Sequence, residues 1–381
     1  MSLKKPSFQK LGHYQVGDFK TYSKLKAIEQ HASSGIHPHW YFNDAEFGNC
    51  NWRKEPKTDI LELYRQRAQQ LRDRYDYIIV MYSSGGDSQT VFDAFINNGI
   101  QLDEVCSMIN YKATGSQEGY LNGEIFSRAI PLVKQAQLQQ PQLQHRILDI
   151  SDAVLNWHQF ENDVDWVYDI NSMYGPNNII RRRLDQHVPE WQARHDQGQS
   201  ICIVYGCDRP RVVHQQGHYF FQFLDIQVAN SAMTNANLSI VNELFFWTPD
   251  MPEICIKQAH MIRQYLESQA DPAELPYVSA NGSGSCYREI NGIKYWLSRE
   301  GVDRLVYPQL GSDVIKPTPS ASMIFGFRDE WFWRQANTDA YDRWIKGIDY
   351  LIKQTPDYWL KDVDHPEQGL KGCVSRPYLI G

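Results

Sequence analysis

Short apolar runs alternate with helical periods of apolar residues through the middle of the chain. The clearest run, Tyr77-Ile78-Ile79-Val80-Met81, predicts a strand over residues 76–82 that is buried on both faces, because almost every position in it is apolar. Before it, apolar residues recur at three- and four-residue spacings, which predicts a helix over residues 58–74. The same patterns predict strands at 104–110, 146–150 and 200–205, helices at 88–98, 119–137 and 252–268, and a mostly helical stretch over 151–199. This alternation predicts an α/β fold with a mostly parallel, twisted sheet flanked by helices.

The pattern changes on both sides of this region. Residues 1–57 are rich in aromatic side chains and histidine, and we expect an arm that packs on the core, since so many aromatics need to be covered. His37 and His39 in this segment leave metal ligation open as an alternative. Residues 58–270 form the predicted α/β domain, and residues 271–381 form a predicted α+β extension with an Asn-Gly turn and an aromatic-rich helical stretch.

Composition narrows the class of protein. Hydrophobic residues make up 42% and charged residues 22% of the 381 positions, which is typical of a packed globular chain. The formal net charge of −7 disfavours a nucleic-acid partner. No apolar run reaches the length of roughly 18 residues that predicts a membrane span, and the first residues lack the apolar core of a signal peptide. The 7 cysteines form no CxxC pair and fit reduced thiols, so we expect a cytoplasmic location and no membrane partner.

A loop of small residues follows the strand at 76–82. It reads Tyr82-Ser83-Ser84-Gly85-Gly86-Asp87-Ser88 and leads directly into the predicted helix at 88–98. A buried strand, a serine- and glycine-rich loop and a helix start bring backbone N–H groups together on an anion, and the serine hydroxyls add donors. The loop therefore predicts a phosphate site, and the alternative is a tight turn that is merely rich in serine and glycine.

A second candidate stretch is Gly206-Cys207-Asp208-Arg209-Pro210-Arg211. It follows the predicted parallel strand at 200–205, and ligands of open α/β sheets bind at the carboxyl edge of the strands. Its two arginines would clamp a phosphate or a carboxylate. The alternative is a local ion-pair cluster at the surface, and the basic run at 181–183 is best explained as a solvated helix face.

The strand–loop–helix unit resembles the PP-loop of the adenine nucleotide alpha hydrolase superfamily, whose motif is S-G-G-x-D-S. This superfamily includes the ATP pyrophosphatases and the phosphoadenylylsulfate reductases. Ser84 stands where the motif has its first glycine, Gly85 matches the second, Gly86 fills the variable place, and Asp87 and Ser88 match. If the backbone at position 84 requires a positive φ, the serine costs roughly 1 kcal/mol or more.

Two later stretches are similar to the phosphoadenylylsulfate reductase-like branch of the superfamily. One is ICIVYGCDRPR at 201–211, and the other is FFWTPD at 245–250 before a predicted helix. The resemblance covers about residues 75–270, and its first motif is the specific one. Among the branches of the superfamily, the reductase-like branch has the sequence pattern most similar to that of residues 75–270.

The resemblance implies a HUP/Rossmann-like sheet, with ATP as the nucleotide and Mg²⁺ as the metal cofactor. It implies that the loop grips the pyrophosphate part of ATP, that Asp87 and Asp208 hold Mg²⁺, and that Asp87, Ser88 and Arg209 serve catalysis. Adenine is expected at the ends of the first two strands of the predicted domain. The nucleotide-binding residues that follow from it are Tyr82, Ser83, Ser84, Gly85, Gly86, Asp87, Ser88, Met108, Ile109, Gly206, Asp208 and Arg211.

Three functions fit this set of residues. The first is an enzyme that cleaves ATP between the α and β phosphates, adenylylates a small-molecule acceptor that the sequence does not identify, and releases pyrophosphate. The second is a phosphoadenylylsulfate reductase-like sulfotransferase, which requires a reactive thiol such as Cys207 or Cys373. The third is a degenerate nucleotide-binding module without turnover. The sequence leaves the oligomeric state open, including a homo-oligomer.

Overall fold

The computed structural model describes most of the chain. The residues described are 12–119, 121–157, 164–169, 175–176, 184–206, 211–215, 217–225, 240–269, 277–280, 286–290, 293–297, 304–308, 329–335, 337–360, 363–364 and 370–381. The predicted site residues Cys207, Asp208 and Arg209 and the basic run at 181–183 lie outside these ranges.

A small antiparallel sheet opens the described chain. Its strands are β1 (His13–Val16), β2 (Phe19–Thr21) and β3 (His39–Tyr41), in the order β2-β1-β3, with helices α1 (Lys24–Ser34) and α2 (Asp44–Gly48). The aromatic side chains of this segment are largely covered: Trp40 and Phe42 are fully buried. The Phe42 ring lies 4.7 Å from the ring of Phe223, which belongs to a segment much later in the chain.

The centre of the fold is a five-stranded sheet in which every neighbouring pair is parallel. Its strands are β4 (Tyr77–Met81), β5 (Glu104–Ile109), β6 (Gln144–Asp149), β7 (Ile201–Tyr205) and β10 (Ile240–Leu244), in the order β10-β7-β4-β5-β6. Its flanking helices include α3 (Ile60–Arg74) and α4 (Gly86–Ile96). Asp59 begins α3 because its carboxylate accepts a hydrogen bond from the Leu61 N–H. The α/β class and the parallel sheet predicted from the sequence are confirmed.

The helical region between β5 and β6 differs from the predicted continuous helix at 119–137. A short helix α5 (Tyr111–Thr114) comes first, and then α6 (Asn122–Glu124), a π-helical turn (Ile125–Ala129) and α7 (Ile130–Ala136) follow one another. Pro131 lies in the first turn of α7. Because proline has no N–H and crowds the carbonyl four residues earlier, a regular α-helix cannot run through this position unchanged. The π-turn directly before it absorbs the irregularity.

The stretch 151–199, which the sequence predicts to be mostly helical, contains four helical segments within its described part. They are α8 (Ser151–Leu155), a 3₁₀ turn (Asp165–Asp169), α9 (Leu184–His187) and α10 (Pro189–Asp196). After β10, the long helix α11 (Glu253–Gln269) lies close to the predicted bounds of 252–268. None of the helices in the described ranges combines the length and the apolar character needed to cross a bilayer.

A second, antiparallel sheet has six strands. They are β8 (Arg211–Gln215), β9 (His218–Gln222), β11 (Tyr277–Ala280), β12 (Cys286–Ile290), β13 (Ile293–Leu297) and β14 (Tyr378–Leu379), in the order β13-β12-β11-β8-β9-β14. The sheet therefore takes strands from both sides of residue 270, where the sequence places the start of the C-terminal extension.

Helices α12 (Glu330–Trp333) and α13 (Asp339–Gln354) follow in the aromatic-rich stretch. In α13, Trp344 stacks on Trp166 with ring centroids 4.0 Å apart. Gly347, one turn later, leaves room for the same ring, because a Cβ there would lie 2.2 Å from Trp166. The C-terminal helix is thus fitted onto the 3₁₀ turn at Asp165–Asp169 through a tryptophan pair.

Candidate functional site

The serine- and glycine-rich loop lies where β4 ends and α4 begins. The Tyr82 N–H makes the last ladder bond of β4, to the Cys106 carbonyl at 2.9 Å, and the chain then turns away from the sheet. Gly85 is the N-cap of α4 and provides no side-chain cap. Within the described chain, the backbone N–H groups of residues 84–88 donate to no protein acceptor. Five consecutive donors are therefore available at the positive end of a helix.

Ser84 has a φ of +57°, in the left-handed region. A serine in place of glycine costs roughly 1 kcal/mol or more in this backbone conformation. The Ser84 side chain is buried, and its hydroxyl donates to the Glu124 carbonyl at 3.4 Å, which is long for an O–H···O bond. The loop thus adopts its turn at the expense of strain at this position.

The other two serines bond within the loop. The Ser88 hydroxyl accepts from the Ser83 N–H at 3.2 Å and lies 3.3 Å from both the Ser83 hydroxyl and the Gly85 carbonyl. Ser88 is buried, so this contact closes the loop on itself from the first turn of α4. Its hydroxyl holds the loop's shape in addition to being a predicted phosphate donor.

Asp87 stands in the first turn of α4 and is partly exposed. Its carboxylate makes no hydrogen bond or ion pair with any other described residue. The predicted second metal ligand, Asp208, lies outside the described ranges. Among the residues the structure does describe, no three histidine, cysteine, aspartate or glutamate side chains are grouped as a metal site.

Gly206 follows β7, the strand beside β4, and touches the loop directly. A Cβ at this position would lie 2.9 Å from the Asp87 carbonyl carbon and 3.1 Å from the Ser88 nitrogen. The structure therefore brings the predicted residues Gly206, Asp87 and Ser88 together. Arg211 opens β8, and its guanidinium bonds the Gln222 side chain on the neighbouring strand β9.

Met108 and Ile109 are buried at the end of β5, the strand on the other side of β4. The Ile109 carbonyl accepts from the Ile150 N–H at 2.8 Å, so this part of the strand is bonded within the sheet. Met108 and Ile109 thus lie at the end of β5 where adenine is predicted to bind, and their side chains are part of the packed core.

The Ser107 hydroxyl fixes the point at which the loop leaves the sheet. It donates to the Tyr82 carbonyl at 2.7 Å and lies 3.0 Å from Nε2 of His145 on β6. Because the single hydroxyl proton goes to Tyr82, Nε2 of His145 is the donor in the second contact. Burial lowers the pKa of His145 to about 4, so the ring is neutral near pH 7. Sequence reasoning missed His145, since only the register of β5 with β6 brings it to Ser107.

A second buried chain holds the tyrosine at the start of the loop. The Tyr82 hydroxyl donates to Oε1 of Gln89 at 2.6 Å, and Nε2 of Gln89 donates to Asp93 at 2.8 Å. Burial raises the pKa of Asp93 to about 6. The helical spacing of Gln89 and Asp93 was the available sequence signal, and it identifies a shared helix face without revealing the Tyr82 contact.

The thiols that the structure describes are poorly suited to nucleophilic chemistry. Cys373 is buried, and burial raises its pKa to about 12, so the thiol is protonated near neutral pH. A nucleophilic cysteine needs the opposite environment, one that stabilises the thiolate. The other predicted thiol, Cys207, lies outside the described ranges.

Comparisons of this chain with protein-family models, with curated proteins and with solved structures found no match. The class defined by the fold alone is an α/β protein with a parallel central sheet. Any function assigned to it must therefore be argued from the loop and its surroundings.

Proposed function

We propose that this protein is a nucleotide-binding enzyme of the PP-loop kind, built on a HUP/Rossmann-like sheet. In this proposal it cleaves ATP between the α and β phosphates, transfers the adenylyl group to a small-molecule acceptor, and releases pyrophosphate. The observation that carries the proposal is the row of five backbone N–H groups, residues 84–88, which have no protein acceptor at the start of α4. Such a row suits the oxygens of a polyphosphate.

The position of the loop supports the same proposal. It lies at the carboxyl edge of a parallel sheet, with the end of β7 directly against it at Gly206. Open α/β sheets bind ligands at this edge.

Asp87 is the described residue best suited to a metal ion. Its carboxylate is partly exposed and has no protein partner among the described residues, and Mg²⁺ prefers one or two carboxylates together with phosphate oxygens. When bound, the ion would neutralise phosphate charge. The chain's own contribution is a set of fixed N–H donors, which lose little energy in reorganising as charge develops at the α-phosphorus.

Product analysis tests this proposal. Phosphorus NMR of the protein with ATP, Mg²⁺ and a metabolite pool should show AMP or an adenylylated product together with pyrophosphate, and no ADP. Asp87→Asn should abolish this turnover, whereas Asp18→Asn, at an exposed position in the turn between β1 and β2, should not. Stoichiometric ADP would contradict the mechanism.

A specific observation favours one second candidate, a nucleotide-binding module without turnover. Ser84 is held in the left-handed region and its side chain is buried, where the PP-loop motif has glycine. This strain would keep the loop from adapting to the shape of a transition state. If the wild-type protein binds ATP without turnover, Ser84→Gly should restore activity, and Ser83→Gly at the neighbouring position should not.

A further inference from the structure

Asn110 has a buried side-chain amide that makes no hydrogen bond to the described part of the chain. The residue directly follows β5 and has no exposed surface. Neither its Oδ1 nor its Nδ2 has a hydrogen-bond partner among the described residues, although its backbone N–H donates to Asn122 at 2.9 Å. Leaving a buried amide unpaired is energetically costly, so such a group calls for a specific explanation.

The neighbouring Asn122 shows that this region can satisfy a buried amide. Asn122 is equally buried, and its Oδ1 accepts from the Asn110 N–H. Its Nδ2 donates to the Thr114 hydroxyl at 3.0 Å and to the Ser116 carbonyl at 2.7 Å. The unpaired amide at Asn110 is therefore a local feature and not a sign of loose packing around it.

Contacts on two sides place Asn110 beside the loop. Its backbone is bonded to Asn122 at the start of α6, and two residues later the Glu124 carbonyl accepts from the Ser84 hydroxyl. Residue 110 also follows the segment of β5 that is tied to Tyr82 through the Cys106 carbonyl and the Ser107 hydroxyl. Asn110 and the loop thus contact the same short helix at the same edge of the sheet.

We propose that the Asn110 amide reads the base of the nucleotide whose phosphates lie on residues 84–88, and that this base is a 6-aminopurine. The inference rests on the proposed function. An amide offers an acceptor and a donor side by side, which matches the 6-amino group and the adjacent ring nitrogen of adenine. Adenine presents such a pair on both of its hydrogen-bonding edges, whereas guanine presents one only at O6 and N1–H and has two acceptors on its N7 edge.

The segment that follows Asn110, residues 111–119, forms a strap at the surface. Every described residue of the segment 111–119 is exposed or only partly buried, and Gly115 has open space around the position of a Cβ. Opening the strap would break the Asn122 bonds to Thr114 and Ser116, and it would expose little buried surface of the strap itself. The base would reach Asn110 as this strap moves outward, and Tyr111, 41% exposed on the strap, would then lie at the rim of the site.

Calorimetric titration of the wild-type protein tests the inference without any substitution. ATP should bind about ten- to hundredfold more tightly than purine riboside 5′-triphosphate, which lacks the 6-amino group, and more tightly than GTP. Inorganic tripolyphosphate should bind through the loop alone. Equal affinities for ATP and purine riboside 5′-triphosphate would overturn the reading of the base while leaving the phosphate site in place. If neither ATP nor tripolyphosphate binds, the proposed function fails, and this inference fails with it.

A pair of near-isosteric variants separates recognition from structure. Asn110→Leu removes an amide that has no partner, so the melting temperature should stay the same or rise, while ATP affinity falls about ten- to hundredfold and tripolyphosphate affinity is unchanged. Asn122→Leu removes three bonds and should lower the melting temperature. A less stable Asn110→Leu protein that still prefers ATP over purine riboside 5′-triphosphate would make Asn110 a structural residue and overturn the inference.

Discussion

Asp93, which bonds Gln89 near the loop, is a carboxylate whose pKa the fold raises. Burial raises its pKa from 3.8 to about 6, so the folded protein keeps this proton at pH values where the unfolded chain has released it. Protonation thus favours folding. The stabilisation is fully present below pH 4 and is lost as the pH rises through about 6.

We predict that Asp93→Asn removes this loss. Asparagine stays neutral and keeps an oxygen for the Gln89 amide. Between about pH 4 and pH 6, the free energy of unfolding of the wild type should fall relative to the variant by about 2 kcal/mol. Urea unfolding of both proteins at several pH values measures the difference. Because His145 titrates in both proteins, its opposite effect cancels, and parallel curves would contradict the prediction.

At the residue scale, the sequence also identified the loop serine that departs from the PP-loop motif. The positive φ of Ser84 lies in the turn between β4 and α4, immediately before Gly85. By contrast, Ser107 and His145 come from different strands, so no local pattern could predict their contact.

At the scale of elements, the approach of β7 to the start of α4 controls the geometry of the loop. Gly206 is the contact point, since a side chain there would press on the backbone of Asp87 and Ser88 and not on a flexible side chain. The strand can therefore lie next to the loop only with glycine at this position.

We predict that Gly206→Ala displaces the loop. The added methyl group would lie 2.9 Å from the Asp87 carbonyl carbon, so the free energy of unfolding should fall by about 1–3 kcal/mol and the affinity for tripolyphosphate should fall with it. Gly123→Ala is the control, because a Cβ there meets nothing within 4 Å. Urea unfolding and calorimetric titration give the two readouts, and unchanged affinity in Gly206→Ala would show that the loop is not the phosphate site.

At the scale of the whole molecule, one buried ion pair joins three distant parts of the chain. Lys24 on α1 and Asp225 after β9 meet at 2.7 Å, and neither side chain has exposed surface. Asp225 also accepts from the Tyr14 hydroxyl and from the Cys373 N–H. The N-terminal unit, the antiparallel sheet and the C-terminal segment are thus held at a single carboxylate.

We predict that Lys24→Met destabilises the protein by about 3–5 kcal/mol, because it leaves Asp225 buried without its cation. The double variant Lys24→Met/Asp225→Asn should lose less, since both charges are gone and the amide oxygen can still accept from Cys373. Urea unfolding of both single variants and the double variant completes the cycle. A double variant less stable than Lys24→Met would show that the carboxylate stabilises the fold without its lysine.

The pattern of apolar and small residues along the sequence is enough to predict the strands of the central sheet and the loop that follows β4. Continuous apolar runs predict strands buried on both faces, as seen in β4 and β7, and small residues between a strand and a helix predict the turn at 83–88. The strands and the turn depend on neighbours in sequence, whereas the strand order β10-β7-β4-β5-β6 depends on pairing between distant segments. The family resemblance, the nucleotide and the reaction remain predictions.

Only the tertiary structure decided how distant segments share the edges of the sheets. The antiparallel sheet pairs β8 with β11 and β9 with β14, across gaps in sequence that no periodicity records. The buried amide of Asn110 is seen only in the folded chain, where Asn122 bonds Thr114 and Ser116 while the Asn110 side chain has no partner among the described residues. The burial of a polar group and the pairing of two strands are properties of the packed chain. Each depends on long-range contacts, which bring groups that are distant in sequence within a few ångströms of each other.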